Sequence, residues 1–360
     1  MDNIQRNVSI LSWYFPPQKD SGRGMERFSF ELVKGLRDSK RYKPIVLTHE
    51  GKSGYSFFTY INHCIKLYST KTSIYHAVDI INGMSGVISG KHPLITHIHD
   101  IHPFVDLKEH PELKRYFSGV KGSIRRKAGI LSLKKSDVLI TPFPSNKQFI
   151  LDKYDLDDEK IRVIPYGVDT TVFRPLEVPI KKDKKLILCV SSLLRERGIE
   201  DLILAFYHIK QEIDNVNLII IGKGEDQNYF KKLVTKLKLN DKVRFLGFVP
   251  DEDLSYYYNI ADVFVLPSKL GFSLACLEAM ACGSPVITAD SYDARDILED
   301  AAVIVKPGEY EQLSRCIIEI LTDDKIKKGL RKKSIKLAQN YTWQKTVQNI
   351  IHVYDILLGV

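Results

Sequence analysis

Ser268-Lys269-Leu270-Gly271-Phe272-Ser273-Leu274-Ala275-Cys276-Leu277-Glu278-Ala279-Met280-Ala281-Cys282-Gly283-Ser284-Pro285-Val286-Ile287-Thr288-Ala289 is the stretch around which the chain is organised. It reads as a glycine turn at Gly271, a short helix with small and apolar residues on one side, a glycine stop at Gly283 and a buried strand led by Pro285. A helix that opens on a glycine loop aims free backbone N–H groups and the positive end of its dipole at whatever lies in front, which suits phosphate oxygens. Glu278 lies about one turn further in, placed to accept hydrogen bonds from sugar hydroxyls attached to such a phosphate. An ordinary α/β helix carrying a solvated glutamate has the same local pattern, so the rest of the chain must decide.

Upstream of this stretch runs an alternating series: strand Leu186 to Ser191, helix Ile199 to Gln211, strand Asn217 to Ile221 and a helix near Tyr229 to Lys238. Strand Val243 to Leu246, a helix near Asp253 to Asn259 and strand Asp262 to Leu266 follow. Gly222-Lys223-Gly224 closes one of these strands as a second backbone cradle, without the third glycine of a dinucleotide fingerprint. The amino-terminal half alternates in the same way. Its strand Asn7 to Ser12 leads into Trp13-Tyr14-Phe15-Pro16-Pro17 and the turn Ser21-Gly22-Arg23-Gly24. A helix follows whose apolar positions are Phe28, Leu32, Val33 and Leu36.

Further strands are expected at Pro44 to Thr48, Val78 to Asn82, Leu94 to His99, Val138 to Thr141 and Arg162 to Ile164; the segment Gly51 to Tyr75 has no clean period. Strands alternating with helices imply parallel sheets covered on both faces. The turn-rich passage from Tyr166 to Pro179 and the charged stretch Lys181 to Lys185 read as a linker, and Thr342 caps a last amphipathic helix. At 360 residues the chain divides into two domains, 1–170 and 171–340, with a terminal helix at 341–360 expected to pack back on the first.

Composition narrows the class. With 44% hydrophobic and 27% charged residues the chain is ordinarily globular, with no apolar run long enough to cross a bilayer and no cleavage-site pattern behind Val8 to Leu11. The expected location is cytoplasmic. Five scattered cysteines, Cys64, Cys189, Cys276, Cys282 and Cys316, read as reduced thiols. The net charge of +9 favours anionic partners, and no nucleic-acid module accompanies it.

From Lys108 to Lys135 nine Lys or Arg face two acids, with apolar residues such as Val120 and Ile124 interleaved. That run is either a solvated face or a basic surface lying on an anionic membrane. His97, His99 and His102 end a strand beside Asp100, a spacing that matches no zinc pattern; His99 reads as a polar site residue.

Taken in order, the motifs resemble retaining glycosyltransferases of family 4, with the GT-B fold of two doubly wound, Rossmann-like α/β domains facing a central cleft. The resemblance rests on Ile164-Pro165-Tyr166-Gly167-Val168-Asp169 to Phe173-Arg174-Pro175, on Ile221-Gly222-Lys223-Gly224 and on Arg244-Phe245-Leu246-Gly247-Phe248-Val249-Pro250. Ala261-Asp262-Val263, Leu266-Pro267-Ser268, Gly271-Phe272-Ser273, Glu278-Ala279-Met280-Ala281 and Gly283-Ser284-Pro285-Val286 complete the series. It implies that backbone N–H groups at Ser273 and Leu274 bind a donor diphosphate, with Gly271 and Phe272 also at the donor, and that Glu278 holds the ribose. Phe248 and Val249 would line the base pocket, with Gly222 at the donor. Arg197, at the family's diphosphate-binding lysine, keeps the charge. Gly24 would let the backbone approach the donor, and His99 would lie beside the transferred sugar.

Three departures stand out. The first of two glutamates usual eight positions apart is Leu270, the arginine that partners the diphosphate-binding lysine is Ser192, and the first amino-terminal glycine is Arg23. Arg195 or Arg23 is then expected to supply the missing cation. The implied activity is a metal-independent hexosyl transfer, retaining, from a nucleotide-diphosphate sugar to a saccharide or lipid-linked acceptor. Such an enzyme needs no cofactor, serves polysaccharide or glycolipid biosynthesis, and sits in the cytoplasm or peripherally on the inner face of the cell membrane. A non-catalytic nucleotide-sugar-binding or partner protein is the alternative that Leu270 and Ser192 motivate; an epimerase or hydrolase on the same fold is a third.

Overall fold

The computed structural model describes residues 6–12, 24–48, 57–177, 184–298 and 300–360. The loop from Trp13 to Pro17, the turn at Ser21 to Arg23 and the start of the Lys181 to Lys185 run lie outside them. The chain forms two compact units, one of residues 1–166 with 343–360, the other Gly167–Thr342.

The first unit is built from β1 (Arg6–Ser12), α1 (Gly24–Ser39), β2 (Tyr42–Thr48), α2 (Phe57–Ser69), β3 (Ile74–Ala77), α3 (Ile80–Ile88) and β4 (Leu94–His97). It continues with α4 (Lys114–Phe117), α5 (Gly119–Lys135), β5 (Val138–Thr141), α6 (Pro144–Lys153) and β6 (Ile161–Val163). All six strands are parallel, in the order β2-β1-β3-β4-β5-β6. Strands β3, β4 and β5 are buried along their whole length, as expected where helices cover both faces.

The second unit comprises β7 (Lys185–Val190), α7 (Ile199–Glu212), β8 (Val216–Ile221), α8 (Gln227–Lys236), β9 (Val243–Gly247), α9 (Asp251–Ile260) and β10 (Val263–Leu266). After these come α10 (Leu274–Ala281), β11 (Val286–Ala289), α11 (Tyr292–Leu298), β12 (Ala302–Val305), α12 (Tyr310–Thr322) and α13 (Asp324–Ala338). Its parallel sheet has the order β12-β11-β10-β7-β8-β9. The order reverses direction between β7 and β10, so the loops leaving those two strands flank a topological switch point, where open α/β sheets bind ligands.

One strand expectation is corrected. The run Val78 to Asn82 is not a strand: β3 ends at Ala77, and Asp79 caps α3 by accepting the N–H groups of Ile81 at 2.8 Å and Asn82 at 2.9 Å. A carboxylate at that point turns the apolar Ile80-Ile81 pair into the first turn of a helix. The strand begins earlier, inside the segment that shows no period, where α2 also lies.

The last helix, α14 (Trp343–Leu358), belongs to the first unit. It buries Trp343, Val347, Ile350, Ile351, Val353 and Tyr354, and Val347 packs so closely on Gly35 that a Cβ there would meet its methyl at 2.7 Å. Polar contacts set its register. Asp355 accepts the Tyr42 hydroxyl at 2.6 Å and the Arg41 guanidinium at 2.9 Å, while the Tyr354 hydroxyl lies 2.6 Å from His76 Nδ1. Burial raises the Tyr354 phenol well above its ordinary range, so it stays protonated and donates to the imidazole. Replacing Tyr354 with phenylalanine strands that nitrogen in the core, and Y354F is expected to lose about 1–3 kcal/mol of stability. The measurement is a urea titration followed by tryptophan fluorescence, which reads the first unit because both tryptophans, Trp13 and Trp343, belong to it.

Candidate active site

In the first unit a column of imidazoles stands at the carboxyl end of the sheet. His76 on β3 stacks on His97 at the end of β4, ring centroids 5.0 Å apart, and His97 lies 5.5 Å from His99. The His99 Nε2 is 2.5 Å from the Val78 carbonyl, which can only accept, so Nε2 carries the proton and Nδ1 accepts the Tyr166 hydroxyl at 2.5 Å. Burial lowers the His99 pKa, opposed by the hydrogen bond to Val78 and by Asp79 and Asp100. Both ring nitrogens are thus engaged within the unit. What His99 offers outward is its carbon edge and its backbone, as an orienting group rather than a proton acceptor.

His97 is different. It is buried, its ring lies 4.3 Å from that of Phe28, and among the described residues neither ring nitrogen has a hydrogen-bond partner. Burial holds its pKa well below the ordinary value, reinforced by His76 and His99; burial likewise takes His76 down to about 3. Because both folded pKa values lie below the unfolded one, the unfolded chain binds more protons in acid. Stability of the first unit is therefore full above about pH 6.5 and is lost as pH falls towards 3, with a slope of up to about 1.4 kcal/mol per pH unit for each histidine. H97F removes one of these groups and its two unpaired ring nitrogens. It is expected to raise stability at neutral pH by about 1 kcal/mol and to flatten the fall of the urea midpoint between pH 7.5 and pH 5.

In the second unit the loops leaving β7 and β10 meet backbone to backbone. Gly198 has φ +69°, and a Cβ on it would lie 1.9 Å from the Pro267 carbonyl oxygen; Lys269 N–H donates to the Glu196 carbonyl at 2.9 Å. Arg197 Nη1 reaches Ser268 Oγ at 3.3 Å, and the same oxygen accepts the Leu270 N–H at 3.1 Å. After the turn at Gly271, Ser273 caps α10 with its Oγ 3.4 Å from Ala275 N.

Residues 275–277 and 279–281 of α10 are buried, whereas Leu274 and Glu278, one turn apart, are only half-buried and share a stripe. Glu278 Oε2 accepts the hydroxyl of Tyr258, on α9, at 2.9 Å. Tyr258 is fully buried, and burial, then the charge of Glu278, raise its phenol far above the usual range, so it remains a donor. Beside β7, Gly222 N–H donates to the Gly247 carbonyl at 2.7 Å, Lys223 Nζ lies 5.8 Å from the Phe248 ring centroid, and Phe248 and Val249 are half-buried at the end of β9.

The sequence-derived donor residues of the second unit are thus carried by the β7, β8, β9 and β10 loops and by α10. Gly24 opens α1 in the first unit. Among the described residues no group of three or more His, Cys, Asp or Glu side chains is arranged to hold a metal ion, and no helix is long and apolar enough to cross a membrane.

The family profiles divide the chain at nearly the same place. "Glycosyl transferases group 1" matches residues 175–340 and "Glycosyltransferase Family 4" residues 37–172. The chain belongs to the GT-B glycosyltransferases of the group 1/family 4 type. Among curated relatives of these glycosyltransferases, the O-antigen chain mannosyltransferase B of Escherichia coli is 30% identical over 173 residues, 47% of this chain and 45% of the relative. The aligned regions span 62%, 45%, 61% and 65% of the lengths of the first four curated relatives.

Among solved structures, sucrose-phosphate synthase from Thermosynechococcus elongatus superposes with a TM-score of 0.84 at 21% identity, covering 99% of this chain and 100% of that one. HepE from Anabaena, in complex with UDP-glucose, gives 0.76 at 20% identity over 97% and 99%. At these identities the likeness is one of fold, and it agrees with the two parallel sheets described above.

Against the glycosyltransferase pattern, the cation expected to stand in for Ser192 is placed as follows. Arg195 lays its guanidinium 3.8 Å from the ring centroid of Tyr229, and its Nε lies 3.8 Å from Asp226 Oδ1; Arg23 is outside the described residues. Three site residues escape a sequence reading: Tyr258, which orients Glu278; Tyr166, which holds His99; and Asp293, whose carboxylate touches the Gly271 turn. Tyr258 and Asp293 sit in helices whose pattern explains them as packing or capping residues. Tyr166 stands within a quoted motif, yet nothing local connects it to a histidine sixty-seven positions earlier.

Proposed function

We propose that this chain transfers a sugar, with retention of anomeric configuration, from a nucleotide-diphosphate sugar to a saccharide or lipid-linked acceptor without a metal cofactor. The observation that carries the reading is at the start of α10. A capped helix opens on a glycine turn, with Arg197 anchored to Ser268 beside it and Glu278 held by Tyr258 one turn in.

Backbone N–H groups at Ser273 and Leu274 and the Arg197 guanidinium take the diphosphate, whose leaving-group charge grows in the transition state. Glu278 takes the ribose hydroxyls, and Phe248 and Val249 the base, with Gly222 beside them. In the first unit Gly24 is assigned to the donor, through its backbone, and His99 to the transferred sugar, through its ring edge or carbonyl.

An anionic membrane is the proposed setting of the acceptor. Ser132 Oγ donates to the Ile80 carbonyl at 2.6 Å, so that part of α5 is level with the start of α3. The twelve residues before it, about 18 Å of helix, run on past the carboxyl end of β3. They carry Lys121, Arg125 and Lys127 beside Val120, 77% exposed, and Ile124, 55% exposed.

The test is nucleotide release from UDP-, GDP- and ADP-sugars by the purified chain, with and without a membrane extract. Release that needs one donor together with the extract is the expected result. Saturable binding without release under any condition would replace this reading with a non-catalytic nucleotide-sugar-binding protein.

A further inference from the structure

The loop that opens α10 carries no acid of its own between Ser268 and Ser273, but a neighbouring loop brings one to it. Asp293, in the first turn of α11, places Oδ2 3.0 Å from the Phe272 nitrogen and accepts that N–H, while Oδ1 accepts the Ala294 N–H at 2.9 Å. Gly271, with φ +82°, makes room for the carboxylate: a Cβ there would lie 2.3 Å from Oδ2. The arrangement is specific to this acid. Asp290, three residues earlier, is clamped by Arg295 through contacts of 2.5 and 2.6 Å, whereas among the described residues Asp293 makes no ion pair. It is half-buried, held by two backbone amides, and each oxygen retains a lone pair.

Its place along the loop says what it faces. Glu278 and Leu274 share one stripe of α10, Ser273 caps the helix, and Phe272 and Gly271 come next. With ribose at Glu278 and diphosphate at Ser273 and Leu274, the same line continues to Asp293 at the sugar end of the donor. The chemistry agrees, since a carboxylate without a cation repels a diphosphate and accepts hydrogen bonds from neutral hydroxyls. The Phe272 N–H, already bonded to Asp293, is withdrawn from phosphate binding.

We propose that Asp293 accepts hydrogen bonds from hydroxyl groups of the transferred sugar, supplying from the loop after β11 the carboxylate that Leu270 does not supply from the loop before α10. This rests on the donor-site reading above.

The experiment is calorimetric titration of the full chain, parent and D293N, with UDP, GDP and ADP and with UDP-glucose, GDP-mannose and ADP-glucose. D293N is expected to leave the Kd of the free nucleoside diphosphate within about twofold and to weaken the matching sugar nucleotide by about tenfold or more, because only the latter presents hydroxyls of the transferred sugar. In the D293A background, L270E is expected to recover part of the lost sugar-nucleotide affinity. Thermal midpoints of each variant separate these effects from misfolding. Parent affinity of D293N for both ligands, or an equal loss for both, overturns the proposal and leaves Asp293 as a brace for the Gly271 turn. A parent chain that binds none of UDP, GDP and ADP refutes the donor-site reading itself, and Asp293 with it.

Discussion

Sugar transfer by R197A is expected to fall by about 10²–10³-fold relative to the parent, with R195A remaining within about threefold. The two arginines stand two residues apart on the loop after β7, yet their surroundings differ. Arg197 reaches across to Ser268, whose hydroxyl also accepts the Leu270 N–H, so its guanidinium is fixed against the loop that leads into α10. Arg195 turns the other way, its guanidinium on Tyr229 and its backbone N–H on Asp226 Oδ2 at 3.0 Å, in a cluster with the Tyr229–Glu200 hydrogen bond of 2.7 Å. A cation stacked on a phenol beside a carboxylate has much of its field cancelled before it reaches a phosphate.

Removing a preorganised cation from a developing diphosphate anion costs about 2.7–4 kcal/mol in barrier, which is the stated loss in rate. R197K keeps a point charge but not the planar fork, and an intermediate rate is expected. Nucleotide release under saturating donor is the measurement. Equal losses in R195A and R197A would show that the charge on this loop acts as a pool, with no privileged position.

G222A is expected to destabilise the second unit by about 3 kcal/mol or more, with loss of nucleotide binding following from the displaced loop. Two independent costs converge at this residue. Its φ of +132° is a conformation that side chains rarely adopt, and a Cβ would sit 1.9 Å from the Ser191 carbonyl oxygen, which no rotamer relieves because the obstacle is backbone. That carbonyl lies just past the end of β7, so relief must come by parting the loops after β7 and β8. Gly247 suffers with it, through its carbonyl bond to Gly222 N–H. Gly224 is equally confined, its Cβ position 2.4 Å from the Leu193 carbonyl oxygen. Gly308 is a control: its φ is also positive, at +85°, but no atom lies within 4 Å of its Cβ position, so G308A is expected to lose only about 1 kcal/mol. Urea unfolding followed by far-ultraviolet circular dichroism distinguishes the two variants. Equal midpoints for G222A and the parent would mean the loops part freely.

Much of this architecture was legible because its signals are local. Strand β5 lies where the apolar run Val138 to Thr141 predicts it, and α1 follows the spacing of Phe28, Leu32, Val33 and Leu36. The opening stretch folds as read: Ser273 caps α10, and Gly283 follows it with φ +78° in the left-handed region that ends helices. β3 was not legible, because the apolar residues Val78, Ile80 and Ile81 continue past its end and only the capping carboxylate of Asp79 marks the change to helix. His76 inside β3 is equally opaque, since the hydroxyl that satisfies it comes from Tyr354, 278 positions away.

By itself the sequence determined the alternation of strands and helices, the family, and the candidate residues Arg197, Gly222, Ser273 and Glu278. Each of these follows from spacing within a few turns of chain, and such spacing survives in any arrangement of the segments. Only the tertiary structure decided which loops flank the switch point between β7 and β10, that Tyr258 orients Glu278, that Tyr166 and Val78 engage both nitrogens of His99, and that Asp293 brings a carboxylate to the Gly271 turn. Hydrogen bonds and charges act over a few ångströms of space irrespective of distance along the chain, so partners separated by tens or hundreds of residues leave no periodic trace and become visible only when the sheet order brings them together.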